Sequence, residues 1–312
     1  MTAQLELPTR GHGVHAAADG TCWVAARRPG DWLLSWHPVS GARQWHWVDD
    51  DRRLNGHVLP SPGGQLWTTE TDQETGQGCI GVRDLLTLAK VDEWPSHGMD
   101  PHAMLRLPTA LGPCPAGTLL VANGGIPTQT ESGRSQRDMA RMDSSLVALD
   151  PVTGRRLGQW RLHDTRLSIR HLAWDPVGQR VGVALQAEHD DIAIRRDAPL
   201  CATWDGEELQ DGPPVEAGLG YAGDICARAG GGFWLSANLA HSLLALSPRG
   251  AVVARYSLSS VGALATADTQ VWAAGHQRVW HAKRVQSFTQ NIRLDNHWSA
   301  FSQWHDGNGN SR

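Results

Sequence analysis

The sequence predicts an all-β fold: a β-propeller of four-stranded blades, six by anchor count, with a seventh left open. Three observations predict it. One hairpin unit recurs along the chain, its period falls in the range of propeller blades, and tryptophan returns at one position of the repeat. The 34 glycines and 17 prolines among 312 residues suit many short strands and turns rather than long helices.

The template lies at residues 55–84, NGHVLPSPGGQLWTTETDQETGQGCIGVRD. A Gly-His step leads into the apolar run Val58-Leu59-Pro60, and a Ser-Pro-Gly-Gly turn follows. Residues 65–69 then read as a second strand, 70–78 as an acidic loop and 79–82 as a third strand. The same unit recurs as His12, Gly20 and Trp23; as His171, Gly178 and Val181; as Asp224, Gly231 and Trp234; and as Gly262, Thr269 and Trp272. His102 takes a longer hairpin, with Gly117 and Leu120 in the equivalent places. Most anchors are 38 to 53 residues apart. The runs 32–36, 145–149 and 242–246 read as third strands, the last two ending in Asp-Pro and Ser-Pro turns that close on Gly154 and Gly250. Trp23, Trp67, Trp234 and Trp272 share one repeat position, which makes them packing residues between blades rather than a ligand cage.

The whole chain, 1–312, reads as one propeller domain, with an insertion at 124–143 placed over the channel mouth. Residues 4–8 precede the first anchor as a fourth strand would, and they are expected to close the ring against the C-terminal blade and protect both edges. Residues 285–312 with 1–9 are the candidate for a degenerate seventh blade.

Composition excludes several classes. A net charge of -4 gives no reason to expect nucleic acid as a partner. No apolar run approaches the ~20 residues of a membrane span. The five cysteines lack CxxC spacing, so they form neither a zinc ribbon nor a disulfide framework and read as small core residues. Nucleophile elbow, HExxH, P-loop and dinucleotide motifs are all missing.

In a propeller the first strand of each blade lines the channel, and its start lies beside the end of the second strand. One face should therefore collect His12, His57, His102 and His171, with Asp224 and Gly262 in the fifth and sixth places. The loop ends add Arg27, Arg28, Glu70, Asp72, Asn123, Gln186 and Asn238. Four imidazoles at equivalent positions suit a transition metal such as iron, copper or zinc. The alternative is that each histidine is satisfied within its own blade, as in WD-type repeats. Glu70, Asp72 and Asp224 are expected as further ligands or as orienters of a ligating histidine. Glu70, Asp72 and Glu74 alternate, so an extended loop would point the three carboxylates one way. His97 is a second-tier ligand candidate. Asn123-Gly124-Gly125 offers an anion nest or a tight turn, and Arg134 and Arg170 would hold an anionic part of the ligand. Residues 294–298 carry His297 on a tail able to reach back to the channel.

Several of these stretches form a recognisable set: Arg10-Gly11-His12-Gly13-Val14, Ala26-Arg27-Arg28-Pro29-Gly30, Thr69-Glu70-Thr71-Asp72, Pro95-Ser96-His97-Gly98, Pro101-His102, Val121-Ala122-Asn123-Gly124-Gly125-Ile126, Ser132-Gly133-Arg134, Ser168-Ile169-Arg170-His171-Leu172 and Asp295-Asn296-His297. In this order, from about residue 7 to 297, the chain resembles the bacterial domain of unknown function family 1513, itself similar in outline to YVTN/WD-like propellers. The resemblance implies a periplasmic protein linked to iron or another metal, often encoded near imelysin-type proteins of iron uptake, with an envelope protein as partner. It supplies no reaction. The chain carries no export signal at residues 1–8, and a native start at Met1 would instead make it cytoplasmic. The functional expectation is a non-enzymatic binding propeller holding a metal ion or small metal complex at the channel mouth. The alternatives are a metal-dependent hydrolase or lactonase with Glu70 as base, and a protein-interaction scaffold.

Overall fold

The computed structural model describes residues 3–127, 139–267, 269–281, 284–287, 294–295 and 297–300. Within them are six four-stranded antiparallel sheets, each built from four consecutive strands in chain order. Their first strands are Gly11–Ala16, Arg52–Pro60, Pro101–Arg106, Leu167–Asp175, Ala222–Ala227 and Val261–Ala267. These are six propeller blades, settling the number the anchors implied. The third strands fall where the apolar runs placed them, at Trp32–Trp36, Ser145–Leu149 and Ser242–Leu246. Helical structure among the described residues is confined to Ile192–Asp197 and a single 3-10 turn at Met139–Arg141.

Strand alternation sends every second side chain to each face of a blade, so a blade must bury apolar residues on both sides. The core is accordingly a series of layers between neighbours. Trp23, Ala25 and Leu33 of blade 1 meet Leu54, Val58 and Leu66 of blade 2. Trp67, Ile80 and Val82 of blade 2 meet Leu119, Val121 and Val147 of blade 3. Trp23 and Trp67 are 5% and 0% exposed, and Trp234 and Trp272 are half-buried, Trp234 packing on the layer between blades 5 and 6. Four of the five cysteines are buried and all are free thiols. Between third and fourth strands, Asp84 and Asp150 each accept two backbone N–H bonds from the residues two and three ahead, which shapes the tight turn.

Ring closure differs from the expectation. Among the described residues no strand passes between blades 6 and 1, and the last sheet is complete in itself with Arg284–Ser287 as its outer strand. Residues 3–8 are not a strand. Leu5 and Leu7 instead pack on Ala26, Trp32 and Leu34, the face of blade 1 turned away from blade 2. The C-terminal tail runs along the same seam. Leu294 N–H donates to His276 O of blade 6, Asp295 pairs with Arg10, and Ser299 Oγ accepts from Ala16 N at the far end of the first strand. Most of the insertion at 124–143, including Arg134, lies outside the described residues, as do the rest of the tail and Asn296.

Candidate metal centre

Every first strand breaks its register at the anchor. The ladder shifts between Gly11 and Val14, Leu54 and Val58, Ile169 and Leu172, Ala222 and Asp224, and Val261 and Leu264, and the Pro101–Arg106 strand shifts opposite Val121 and Asn123. A bulge frees a side chain from strict alternation and re-aims it. Here it does so for His12, His57, His102 and His171.

The consequence is a ring of imidazoles on the channel axis. Centroids of His57 and His102 are 4.6 Å apart, His102 and His171 4.9 Å, and His12 and His57 5.1 Å. Blade 6 has no side chain at its anchor, Gly262. The tail supplies a fifth imidazole instead, His297, 3.9 Å from His12 and 5.1 Å from His57. The ring nitrogens form two overlapping triads, His12–His57–His102 and His57–His171–His297, within each of which the ligand atoms lie no more than 4.8 Å apart. His102 Nε2 and His171 Nε2 are 3.3 Å apart. Two nitrogens on one tetrahedral zinc, each ~2.1 Å from the metal, sit ~3.4 Å apart, so this pair already has the required spacing.

Close packing of the ring depends on Gly56. Its φ is +102°, and a Cβ there would lie 2.5 Å from His12 Cδ2. Only glycine meets both demands.

The electrostatics favour free-base imidazole. Burial, followed by the neighbouring rings and Arg170, holds His57 and His102 well below the ordinary histidine range, and burial with His12 does the same for His297. Burial lowers His12 far down and brings His171 to about 4, with Arg170 as the second cause. At neutral pH all five present lone pairs rather than charge. The ring nitrogens of these residues make two polar contacts among the described residues: the His102–His171 approach and a 3.3 Å contact from His171 Nδ1 to Asp224 Oδ1. His12 Nδ1, His57 Nε2 and both nitrogens of His297 are buried without a partner. The expected alternative, histidines satisfied within their own blades, is therefore not what the chain builds.

Asp224 sits behind the ring, not in it. It accepts from Ile225 N at 2.8 Å and Leu264 N at 2.9 Å, and burial pushes it up to about 7 against those bonds. It is placed to hold His171 Nδ1–H and aim the other nitrogen inward, as outer-shell carboxylates do.

Other expected site residues go elsewhere. Glu70 is not on a loop at the channel mouth, because the second strand runs on to Asp72 and pairs Glu70 with both Leu54 and Cys79. Its carboxylate is 0% exposed, held by Arg83 Nη2 at 2.7 Å and Lys90 Nζ at 2.9 Å. Grouped with Cys79 and Glu93, it forms a blade-internal ion-pair cluster whose cations already occupy the carboxylates. The hydrolase alternative thus loses the base assigned to it. Asp72 caps its own turn through Glu74 N and Thr75 N and pairs with Arg52 at 2.9 Å. Its alternation with Glu70 is real, but each carboxylate is consumed separately. Asn123 ties blades together, donating to Ser96 O at 2.9 Å; Asn238 does the same to Val261 O at 2.9 Å and Gln186 to Ala222 O at 3.4 Å. His97 stands half-buried in a turn with φ of +57°, outside both triads. Arg170 is fully buried, and its Nη1 donates to Asp100 Oδ2 at 2.7 Å. Asp100, which also takes Arg28, was not singled out in the sequence; its signal was an acid placed directly before the proline that opens an anchor strand.

Solved structures share the shape of this chain at low identity. A streptogramin B lyase superimposes with a TM-score of 0.66 at 13% identity, covering 95% of this chain and 89% of that one. A chain of the Kuenenia stuttgartiensis hydrazine synthase reaches 0.61 at 14% identity, covering 92% and 84%. A chain of a mitotic checkpoint complex reaches 0.64 at 11%, covering 93% and 80%. At such identities the likeness is one of fold. No curated protein matches the sequence. The family described as protein of unknown function (DUF1513) matches residues 5–301, and the chain belongs to it.

Proposed function

We propose that the protein is a non-catalytic binding propeller whose channel holds one transition-metal ion. His12, His57, His102, His171 and His297 are the donor set, and Asp224 orients His171. The observation that carries this reading is the group of buried, unpartnered imidazole nitrogens converging on one axis. Leaving a polar atom buried and unpaired costs about 1–3 kcal/mol, and a metal ion is the partner that satisfies several such atoms at once. An all-imidazole set suits zinc, copper or iron(II) rather than calcium or magnesium, which take oxygen ligands. The role that fits, by the family resemblance, is handling of iron or a related metal in the cell envelope.

The test is metal analysis of protein purified without a polyhistidine tag, followed by titration of metal-stripped protein with zinc and iron(II). Near-stoichiometric metal, lost in His57→Ala, supports the reading, since His57 belongs to both triads. Asp224→Asn should weaken affinity about 10–100-fold, the usual effect of losing an outer-shell carboxylate. Absence of bound metal together with equal affinity in wild type and His57→Ala would overturn it.

A further inference from the structure

Arg170 is another buried group with unmet bonding capacity, and it adjoins His171 of the histidine ring. It precedes His171 within the same bulge, and its charge is felt by His57, His102 and His171. The side chain is 0% exposed. Nη1 is used by Asp100, whose charge is divided with Arg28, whereas Nε and Nη2 are buried with no partner.

Nε and Nη2 form one edge of the guanidinium, the fork that grips two oxygens of a planar acid. This chain uses that same edge for carboxylates elsewhere. Arg52 holds Glu93 through Nε at 2.9 Å and Nη2 at 2.8 Å, and Arg161 holds Asp143 at 2.6 Å and 2.9 Å. Arg10 holds Asp295 in the same way. Those forks are closed by the chain itself, and the one beside the histidines is not.

Charge balance points the same way. Five neutral imidazoles contribute nothing to offset a divalent cation, and a guanidinium whose countercharge, Asp100, is shared with Arg28 adds repulsion in a poorly solvated site. An anion between the two would be attracted by both. A cavity of about 400 Å³ opens between blades 4 and 5, lined by Gln186, Glu188, Arg195, Arg196 and Tyr221. Gln186 Oε1 is buried without a partner. Glu188 and Tyr221 lie near enough to Arg170 to favour its charge, yet close neither of its free N–H groups.

We infer that the free edge of Arg170 binds a small planar oxyanion, a carboxylate or carbonate, which serves as co-ligand to the metal held by the histidines. The inference deepens the metal-binding reading and rests on it. It makes the cargo a metal with its anion rather than a bare ion.

The experiment uses full-length untagged protein, stripped of metal and of dissolved carbonate, titrated with cobalt(II) chloride while its visible spectrum is recorded. Parallel titrations add bicarbonate, acetate or, as a tetrahedral control, sulfate. Cobalt affinity should rise about tenfold or more with a planar anion, the scale of one charge-assisted fork, and the spectrum should shift. Whichever of bicarbonate and acetate acts identifies the source. Arg170→Lys keeps the charge but loses the fork, so the enhancement should vanish in that variant. Its circular dichroism checks the fold, and if it does not fold the wild-type comparison decides alone. Cobalt affinity indifferent to all three anions, or enhanced by sulfate equally, overturns the inference while leaving the metal reading standing. No cobalt binding in any buffer removes both.

Discussion

Glu70 offers the sharpest separation between architecture and site, because the two assignments predict opposite results for one substitution. Glu70 is 0% exposed and Arg83 is 1% exposed, joined at 2.7 Å, with Thr68 Oγ1 donating to the same carboxylate oxygen at 2.5 Å. In Glu70→Leu the guanidinium of Arg83 keeps one hydrogen bond, to Leu88 O at 3.1 Å, and a 3.2 Å contact to Thr68 Oγ1, but loses its countercharge. Breaking a buried pair by removing one partner costs about 3–5 kcal/mol. At an unfolding entropy of ~2.1 cal/mol/K per residue, 312 residues give ~0.65 kcal/mol/K, so Tm should fall by roughly 5–8 °C. Calorimetry measures the shift, and the zinc or iron(II) titration is run on the same samples. Metal affinity should be unchanged, since Glu70 is in neither histidine triad. The double variant Glu70→Leu with Arg83→Met should recover most of the lost stability, because replacing the whole pair by apolar groups removes the uncompensated charge. A variant that melts like wild type and no longer binds metal would refute the assignment and return Glu70 to the site.

Two further outcomes follow from geometry and charge. Gly56→Ala should destabilise the fold by about 1–3 kcal/mol through backbone strain and also weaken metal binding, because the new Cβ meets His12 Cδ2 at 2.5 Å. Gly64→Ala is the control: φ there is +76° with nothing within 4 Å, so it should carry strain alone and leave metal titration unaltered. Glu93 is brought to about 2 chiefly by its fork with Arg52 and then by Lys90. Its folded value lies below its unfolded one, so its contribution is complete above about pH 4.5 and fades as pH falls toward 2. Arg52→Gln should therefore flatten the acid limb of a Tm-against-pH curve in that window, measured by scanning calorimetry across acidic buffers; an unchanged limb would count against the pair.

What could be read from the sequence divides along a physical line. Hairpin turns and apolar third strands are local, and Trp32–Trp36, Ser145–Leu149 and Ser242–Leu246 stand where composition puts them. The His12, His57 and His102 anchors are visible because equal spacing in a repeat means equal placement around an axis. The bulges that aim them are not visible, since an extra residue in a strand leaves no mark when both neighbours are small or apolar. Glu70 was misplaced because an acidic run imitates a loop; what overrides composition is a buried Arg83 on the adjoining strand, a contact thirteen residues away in sequence. Ring closure was misjudged for a related reason. Leu5 and Leu7 have the alternation of a strand, but the outermost strand of blade 6 comes from its own sequence, and what remained to be covered was an apolar face rather than a hydrogen-bonding edge.

The tail joins these threads. A sixth anchor reduced to Gly262 leaves a place in the ring that its blade does not fill, and residues 294–295 and 297–300 run through the seam, where no strand lies among the described residues. Both gaps lie between blades 6 and 1, and one segment occupies them, pinned by Arg10–Asp295 above His297 and by Ser299 below it. His297 carries two buried nitrogens without a partner. A segment needed only to seal an apolar seam has no use for such a residue, at a cost of about 1–3 kcal/mol for each orphaned atom. Sealing accounts for the path of the tail; a ligand on the channel axis, as proposed, would account for its histidine.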